Sequence, residues 1–163
     1  MKAGKPEFFQ HTFFGQRGAS FSSDGRWIAY SSNESGASQI YVRAFPDKGG
    51  SWQISSNGGS VPVFSRNGRE LFFFNALDER IMVASYSAKG DSFVAEKPRM
   101  WSSQSMGMAL SGTVGGQYDV SPDGKHIAAA TYARTSTPQD SGRVIFLENF
   151  VDELQRKIPL PVK

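Results

Sequence analysis

The sequence of 163 residues contains no cysteine and only two histidines, His11 and His126. Without thiols the chain can form neither disulfides nor thiolate metal sites, and its redox compartment stays open. Neither histidine stands in an H-E-x-x-H spacing or near a plausible Ser/Asp pair, so the sequence predicts no zinc site and no catalytic triad. We therefore expect neither a metal nor a cofactor.

Long apolar runs and clusters of one charge are also missing. No stretch approaches the roughly 18 apolar residues of a membrane span, and the first residues, MKAGKPEFF, lack the apolar core of a signal peptide. The 18 basic residues are scattered and the net charge is only +3, whereas nucleic-acid binding needs Lys and Arg clustered on one face. The sequence predicts a soluble chain that binds neither membrane nor nucleic acid, and it indicates no compartment.

What the sequence does contain is one pattern written three times. The copies read FSSDGRWIAY from Phe21, VFSRNGRELFF from Val63 and DVSPDGKHIAA from Asp119. Each predicts a β-hairpin, because an Asp or Asn stabilises the turn and the glycine after it can take a positive φ. Turn stabilisation accounts for the repeated Asp and Asn residues without a carboxylate site. The predicted turn residues are Asp24, Gly25, Asn67, Gly68, Asp123 and Gly124.

The spacing of these turns indicates an architecture. Their glycines lie 43 and 56 residues apart, and periods of about 40 to 45 residues are typical of propeller blades. The hydrophobic run after each turn is apolar on both faces of a strand, so sheet must pack on sheet. The sequence predicts an all-β protein of three four-stranded blades, at about 18–55, 61–101 and 117–148. A Ser/Gly/Met-rich loop at 102–117 lengthens the second interval.

The third repeat ends without a fourth strand. Residues 149–158 carry an N-cap asparagine, acids in the first turn and bases in the last, which predicts a short C-terminal helix that packs on its own blade. Residues 6–10, in KPEFFQ, match KPRMWS at 97–102 and predict an isolated fourth strand. Three blades cannot close a ring, since propellers use about four to eight. The sequence therefore predicts a homodimer, a six-bladed ring in which strand 6–10 completes the partner's third blade.

At these residues the chain resembles a known group. The Ser-Pro-Asp-Gly turn before a short apolar strand looks like the repeat of TolB-type, WD-repeat-like β-propellers. More narrowly, NESGASQIYVRAFPDKGGSWQISSNGGSVPVFSRNGRELFF and the closing NFVDELQRKIP look like the last blades of propellers attached to bacterial serine/threonine kinases. The resemblance implies a six-bladed propeller used for protein or ligand binding, often as an extracytoplasmic sensor, and because the family usually has more blades in one chain, this sequence looks like half of one. It implies no kinase activity, because the kinase motifs are missing.

Other candidate motifs have simpler interpretations. Ser20 lies in GASFS, which lacks the second glycine of G-x-S-x-G and precedes a β turn, so we interpret it as a strand residue. The stretch GTVGG at 112–116 lacks the lysine and the following helix of a phosphate loop. Together with Met106 and Met108 it predicts a mobile loop.

The sequence therefore favours a non-catalytic binding module, a scaffold or sensor for a protein or small ligand. With the strands of a blade lettered A to D, the D-to-A and B-to-C loops of a propeller share one face around the channel. Two alternatives stay open: a fragment of a larger propeller-containing kinase or hydrolase, and a small propeller hydrolase with a site at the channel mouth. The candidate residues on the loop face are Arg17, Asn33, Glu34, Asn57, Asp78, Gln117 and Arg134.

Overall fold

The computed structural model describes residues 9, 12–47, 49–105 and 118–129. Within these ranges all regular structure is β strand and every strand pair is antiparallel, which confirms the all-β prediction and is consistent with part of a propeller. Several predictions lie outside the described residues. They concern most of strand 6–10, His11, Met106, Met108, 112–116, Gln117, Arg134, the last strands of the third repeat and the helix at 149–158.

The first sheet is an up-and-down meander whose strands pair in chain order. Trp27 and Ala29 lie on one face of its second strand and Ile28 and Tyr30 on the other, and all four are buried. A strand whose apolar side chains alternate between two buried faces needs cover on both sides. The strands are β1 (Gln16–Phe21), β2 (Trp27–Ser32), β3 (Gln39–Ala44) and β4 (Trp52–Gln53).

The second sheet repeats this meander but carries an additional hairpin. Its third strand continues to Lys89 and turns back at Gly90, whose φ is 61°. Because Gly-Asp at 90–91 forms a two-residue turn, the chain that follows contains two separate strands, whereas a four-stranded blade would contain only one. The strands are β5 (Ser60–Phe64), β6 (Glu70–Asn75), β7 (Arg80–Lys89), β8 (Ser92–Ala95) and β9 (Arg99–Met100).

The third repeat contributes a hairpin of β10 (Tyr118–Val120) and β11 (Ile127–Ala129). One backbone hydrogen bond recurs in all three repeats: the N–H of Ser22, Ser65 or Ser121 donates to the carbonyl five residues later, at 2.9 Å each time. This bond aligns the repeats residue by residue. No helix in the described ranges is long and apolar enough to cross a membrane.

Three apolar clusters alternate with the sheets. The first cluster lies between the first and second sheets and contains Trp27 and Phe73. The second lies between the second sheet and the β10–β11 hairpin and contains Phe72 and Ile127. The third covers the opposite face of the first sheet. Its buried members are Ile28, Tyr30 and Tyr41, with Phe9 packed against them.

Candidate ligand face

The Asp side chains of the repeated turns are occupied within those turns. Asp24 Oδ1 accepts the Ser22 hydroxyl at 2.6 Å and the Arg26 N–H at 3.1 Å. Asp123 accepts the corresponding bonds from the Ser121 hydroxyl and the Lys125 N–H. The serine hydroxyls stabilise the ionised carboxylates and lower the pKa of both aspartates.

In the second turn an amide oxygen accepts the corresponding backbone N–H. Asn67 Oδ1 accepts the Arg69 N–H at 2.9 Å. Gly25, Gly68 and Gly124 take φ values of 69°, 70° and 73°, a region that favours glycine. Across the part of the chain that the structure describes, no three His, Cys, Asp or Glu residues cluster as a metal site would require.

Arg17, Asn33 and Glu34 lie at the other end of the first sheet, where β1 begins and β2 ends. Arg17 pairs with Ser31 across the two strands, and the Ser31 hydroxyl donates to the Arg17 carbonyl at 3.0 Å. Asn33 Oδ1 accepts the Gly15 N–H at 2.8 Å. The Asn33 side chain thus fixes the segment that enters β1, while the Arg17 side chain is exposed.

Asn57 and Asp78 lie at the corresponding end of the second sheet, and Asn75 joins them. The Asn75 Nδ2 donates to the Asn57 carbonyl at 2.9 Å and to the Asp78 carboxylate at 3.3 Å. Its Oδ1 accepts the Leu77 N–H at 2.9 Å. Asn75 is only 3% exposed, so this amide is a buried connection between two surface loops.

Gln39 plays the same part at the start of β3. Its Oε1 accepts the Ser55 hydroxyl at 2.7 Å and the Gly58 N–H at 3.0 Å. The Ser55 hydroxyl in turn accepts the Ile40 N–H at 2.9 Å. Buried polar side chains whose hydrogen bonds are satisfied hold a loop in one conformation. Hydrogen bonds from β3 therefore hold residues 55–59, which include Asn57, in one conformation.

Sequence reasoning missed both Asn75 and Gln39. The available signal was position, since each is an amide at the end of a hydrophobic strand, Gln39 before IYV and Asn75 after LFFF. A polar residue there must find a partner when the strand end is buried. Which loop supplies that partner depends on how the loops close, and the repeat pattern does not contain this information.

The inner strands bring the two loop groups side by side. A Cβ added to Gly18 in β1 would lie 3.5 Å from the Cα of Val61 in β5. The Tyr118 hydroxyl of β10 donates to the Val61 carbonyl at 2.8 Å. The inner strands of successive repeats therefore contact one another in chain order. Arg17 and Asn33 share one edge with Asn57 and Asp78, and we call this edge the ligand face.

Comparison with known proteins finds matches among solved structures. No family model matches the chain, and no curated protein matches it. A protein from Agrobacterium tumefaciens that is provisionally assigned as TolB is similar to it, with 23% sequence identity and a TM-score of 0.40. The match covers 53% of this chain and 35% of that one, so it spans about a third of the other protein's length. The likeness is weak and concerns the fold alone.

The ligand face is polar and charged. It presents the exposed side chains of Arg17, Asn57 and Asp78, which together carry both signs of charge and an amide. Buried nitrogens of Gln16 and Arg80 at the same edge lack hydrogen-bond partners among the described residues. Such groups can bind a polar partner by hydrogen bonds and ion pairs.

Proposed function

We propose that this chain is a non-catalytic β-propeller module that binds a protein segment through the ligand face. The observation that carries the proposal is the buried amide of Asn75, which ties Asn57 to Asp78. Loops fixed on a rigid sheet are well suited to binding, because little conformational freedom is lost when a partner docks. A bound protein segment would contact Arg17 and Asp78 on the ligand face.

The two aspartates with a lowered pKa lie where they favour a binding function over a catalytic one. Asp24 and Asp123 lie in the turns at the opposite ends of the sheets, and each carboxylate already accepts two hydrogen bonds. A lowered pKa makes a carboxylate a weaker base, whereas a general base works best with a pKa near the working pH. These acids are therefore poorly suited to proton transfer.

A peptide display experiment tests the proposal. Random peptides displayed on phage would be selected on the immobilised full-length chain, and the affinity of the best peptide measured for Arg17→Ala and Asn57→Ala. We expect each substitution to weaken binding by about tenfold, or about 1.4 kcal/mol. Lys125→Ala, in a turn at the opposite end, is the matched control. Peptides whose affinity responds to Lys125→Ala but not to the two face variants would refute this assignment.

A further inference from the structure

The sequence contains two Asn-Gly dipeptides, Asn57-Gly58 and Asn67-Gly68. Asparagine is a chemically labile residue, and a following glycine has no side chain to hinder its backbone nitrogen. That nitrogen can attack the side-chain Cγ of the asparagine, which closes a cyclic succinimide and expels ammonia. Water then opens the ring to aspartate or isoaspartate. The reaction consumes only water, so the structure alone decides which of the two dipeptides reacts.

The repeated turn protects Asn67. The Gly68 N–H, which carries the attacking nitrogen, donates to the Ser65 carbonyl at 3.1 Å. The side-chain amide is bound as well, since Asn67 Oδ1 accepts the Arg69 N–H at 2.9 Å and Nδ2 donates to the Glu70 carboxylate at 3.3 Å. Ring closure at Asn67 must therefore break hydrogen bonds of the glycine nitrogen and of the leaving amide.

The other two turns bind their glycines in the same way. The N–H groups of Gly25 and Gly124 donate to the carbonyls of Ser22 and Ser121, at 2.9 Å each. Aspartate before glycine can form the same succinimide by losing water, and these bonds hinder that reaction too. Protection of the residue before glycine is thus a property of the repeated turn.

Asn57-Gly58 lies outside the repeated turns, on the ligand face. The Gly58 N–H donates to Gln39 Oε1 at 3.0 Å, and Gln39 is only 5% exposed. Asn57 is bound through its backbone carbonyl, while its side chain is exposed. One side-chain oxygen therefore holds the attacking nitrogen at this dipeptide.

A local opening of the loop is enough to release that nitrogen. Gln39 Oε1 also accepts the Ser55 hydroxyl at 2.7 Å, and Asn75 Nδ2 holds the Asn57 carbonyl at 2.9 Å. These bonds come from side chains, whereas the bond at Gly68 belongs to the backbone of a tight turn. Loops open locally at a lower free energy than the whole domain unfolds. Asn57 should therefore react first, at a rate set by the opening of residues 55–59.

We propose that Asn57 is a deamidation site and that the Gln39 side chain controls its rate. The reaction replaces a neutral amide by a carboxylate close to Asp78, because Asn75 Nδ2 bonds both the Asn57 carbonyl and the Asp78 carboxylate. The ligand face then gains a negative charge with time, which disfavours an acidic partner. This effect on binding rests on the proposed function, whereas the deamidation does not.

Peptide mapping of the full-length chain after incubation in a mildly alkaline buffer tests the proposal. Trypsin cleaves after Lys48 and Arg66, so the peptide 49–66 contains Asn57 as its only asparagine. Chymotrypsin cleaves after Phe64 and Leu71, so the peptide 65–71 reports on Asn67. Mass spectrometry detects the exchange of amide for carboxyl in each peptide. We expect the product in 49–66 to appear before any product in 65–71.

Substitutions of Gln39 test its control of the rate. Gln39→Leu removes the acceptor and should raise the deamidation rate at Asn57 by at least about fivefold, with the rate at Asn67 unchanged. Gln39→Glu keeps an oxygen that can accept the Gly58 N–H, so this matched control should react slowly, like the wild type. Circular dichroism confirms folding. If Gln39→Leu does not fold, Ser55→Ala replaces it, because the Ser55 hydroxyl positions Gln39 Oε1.

The rate at Asn67 separates local opening from unfolding of the whole chain. A variant that merely destabilises the fold would accelerate both sites by the same factor, and this result would overturn the proposal. Product at Asn67 before Asn57 in the wild type would overturn it as well. So would a Gln39→Glu chain that reacts as fast as Gln39→Leu, because the rate would then not depend on the acceptor oxygen.

Discussion

Phe21 and Phe64 hold the same position in successive repeats, yet one lies at the surface and the other in the core. Phe64→Ala should lower the free energy of unfolding by about 3–5 kcal/mol, because it leaves a cavity in the core. Phe21→Ala should lower it by less than about 1.5 kcal/mol, because about half of that ring is already in water. Urea unfolding of both variants measures the two losses. Equal losses would contradict the difference in burial.

The buried amide of Asn75 predicts a specific loss of order. Asn75→Ala leaves the Leu77 N–H without its acceptor, so we expect a loss of about 1–3 kcal/mol in unfolding free energy and faster hydrogen exchange at 57 and 77–78. Asn57→Ala is the control, because Asn57 takes part through its backbone carbonyl. Equal losses for the two variants would show that the connection does not depend on the Asn75 side chain.

The two turn aspartates predict the response of stability to acid. Because their pKa is lowered in the folded chain, they stabilise the fold above the ordinary value of about 4. This contribution disappears as pH falls through the lowered pKa. Asp24→Asn should flatten the acid limb of stability, and Asn67→Asp should steepen it. Urea midpoints measured between about pH 2 and pH 6 test this. An Asp24→Asn profile that overlays the wild type would exclude a role for that carboxylate.

Gly59 predicts a steric effect free of backbone strain. A Cβ there would lie 2.7 Å from Ile40 Cγ1 and 2.8 Å from Ser55 Oγ, so Gly59→Ala should cost about 1–3 kcal/mol and weaken peptide binding at Asn57. Gly15→Ala is the matched control, since the nearest atom to a Cβ there is Asn33 Oδ1, at 3.8 Å. Thermal unfolding of both variants provides the comparison, and a stable Gly59→Ala protein would show that the loop can shift.

The hairpins could be predicted because their chemistry is local. Asp24 needs only Ser22 and Arg26, and Gly25 needs only a turn that demands a positive φ. Such signals lie within five residues of sequence. The apolar runs on both faces of β2 and β6 likewise required sheets stacked on sheets, and the first and second clusters lie between successive sheets.

The connections between loops could not be predicted in this way. Asn75 contacts Asn57, 18 residues away, and Gln39 contacts Gly58, 19 residues away. A buried amide at a strand end requires a hydrogen-bond partner, but the local sequence does not show which residue provides it. The β7–β8 hairpin was missed for another reason: the Gly-Asp turn at 90–91 was present, but the four-strand repeat left no place for a further strand.

The β7–β8 hairpin links the second sheet to the first. Phe93 at its tip contacts Trp27 with ring centroids 5.1 Å apart and stacks on Tyr86 at 4.9 Å, and the Arg26 guanidinium donates to the Gly90 carbonyl. A hairpin of the second repeat thus packs against the first repeat. We therefore expect these two repeats to unfold as one cooperative unit. Replacing the first repeat by recombination would leave the apolar side chain of Phe93 without its contact to Trp27.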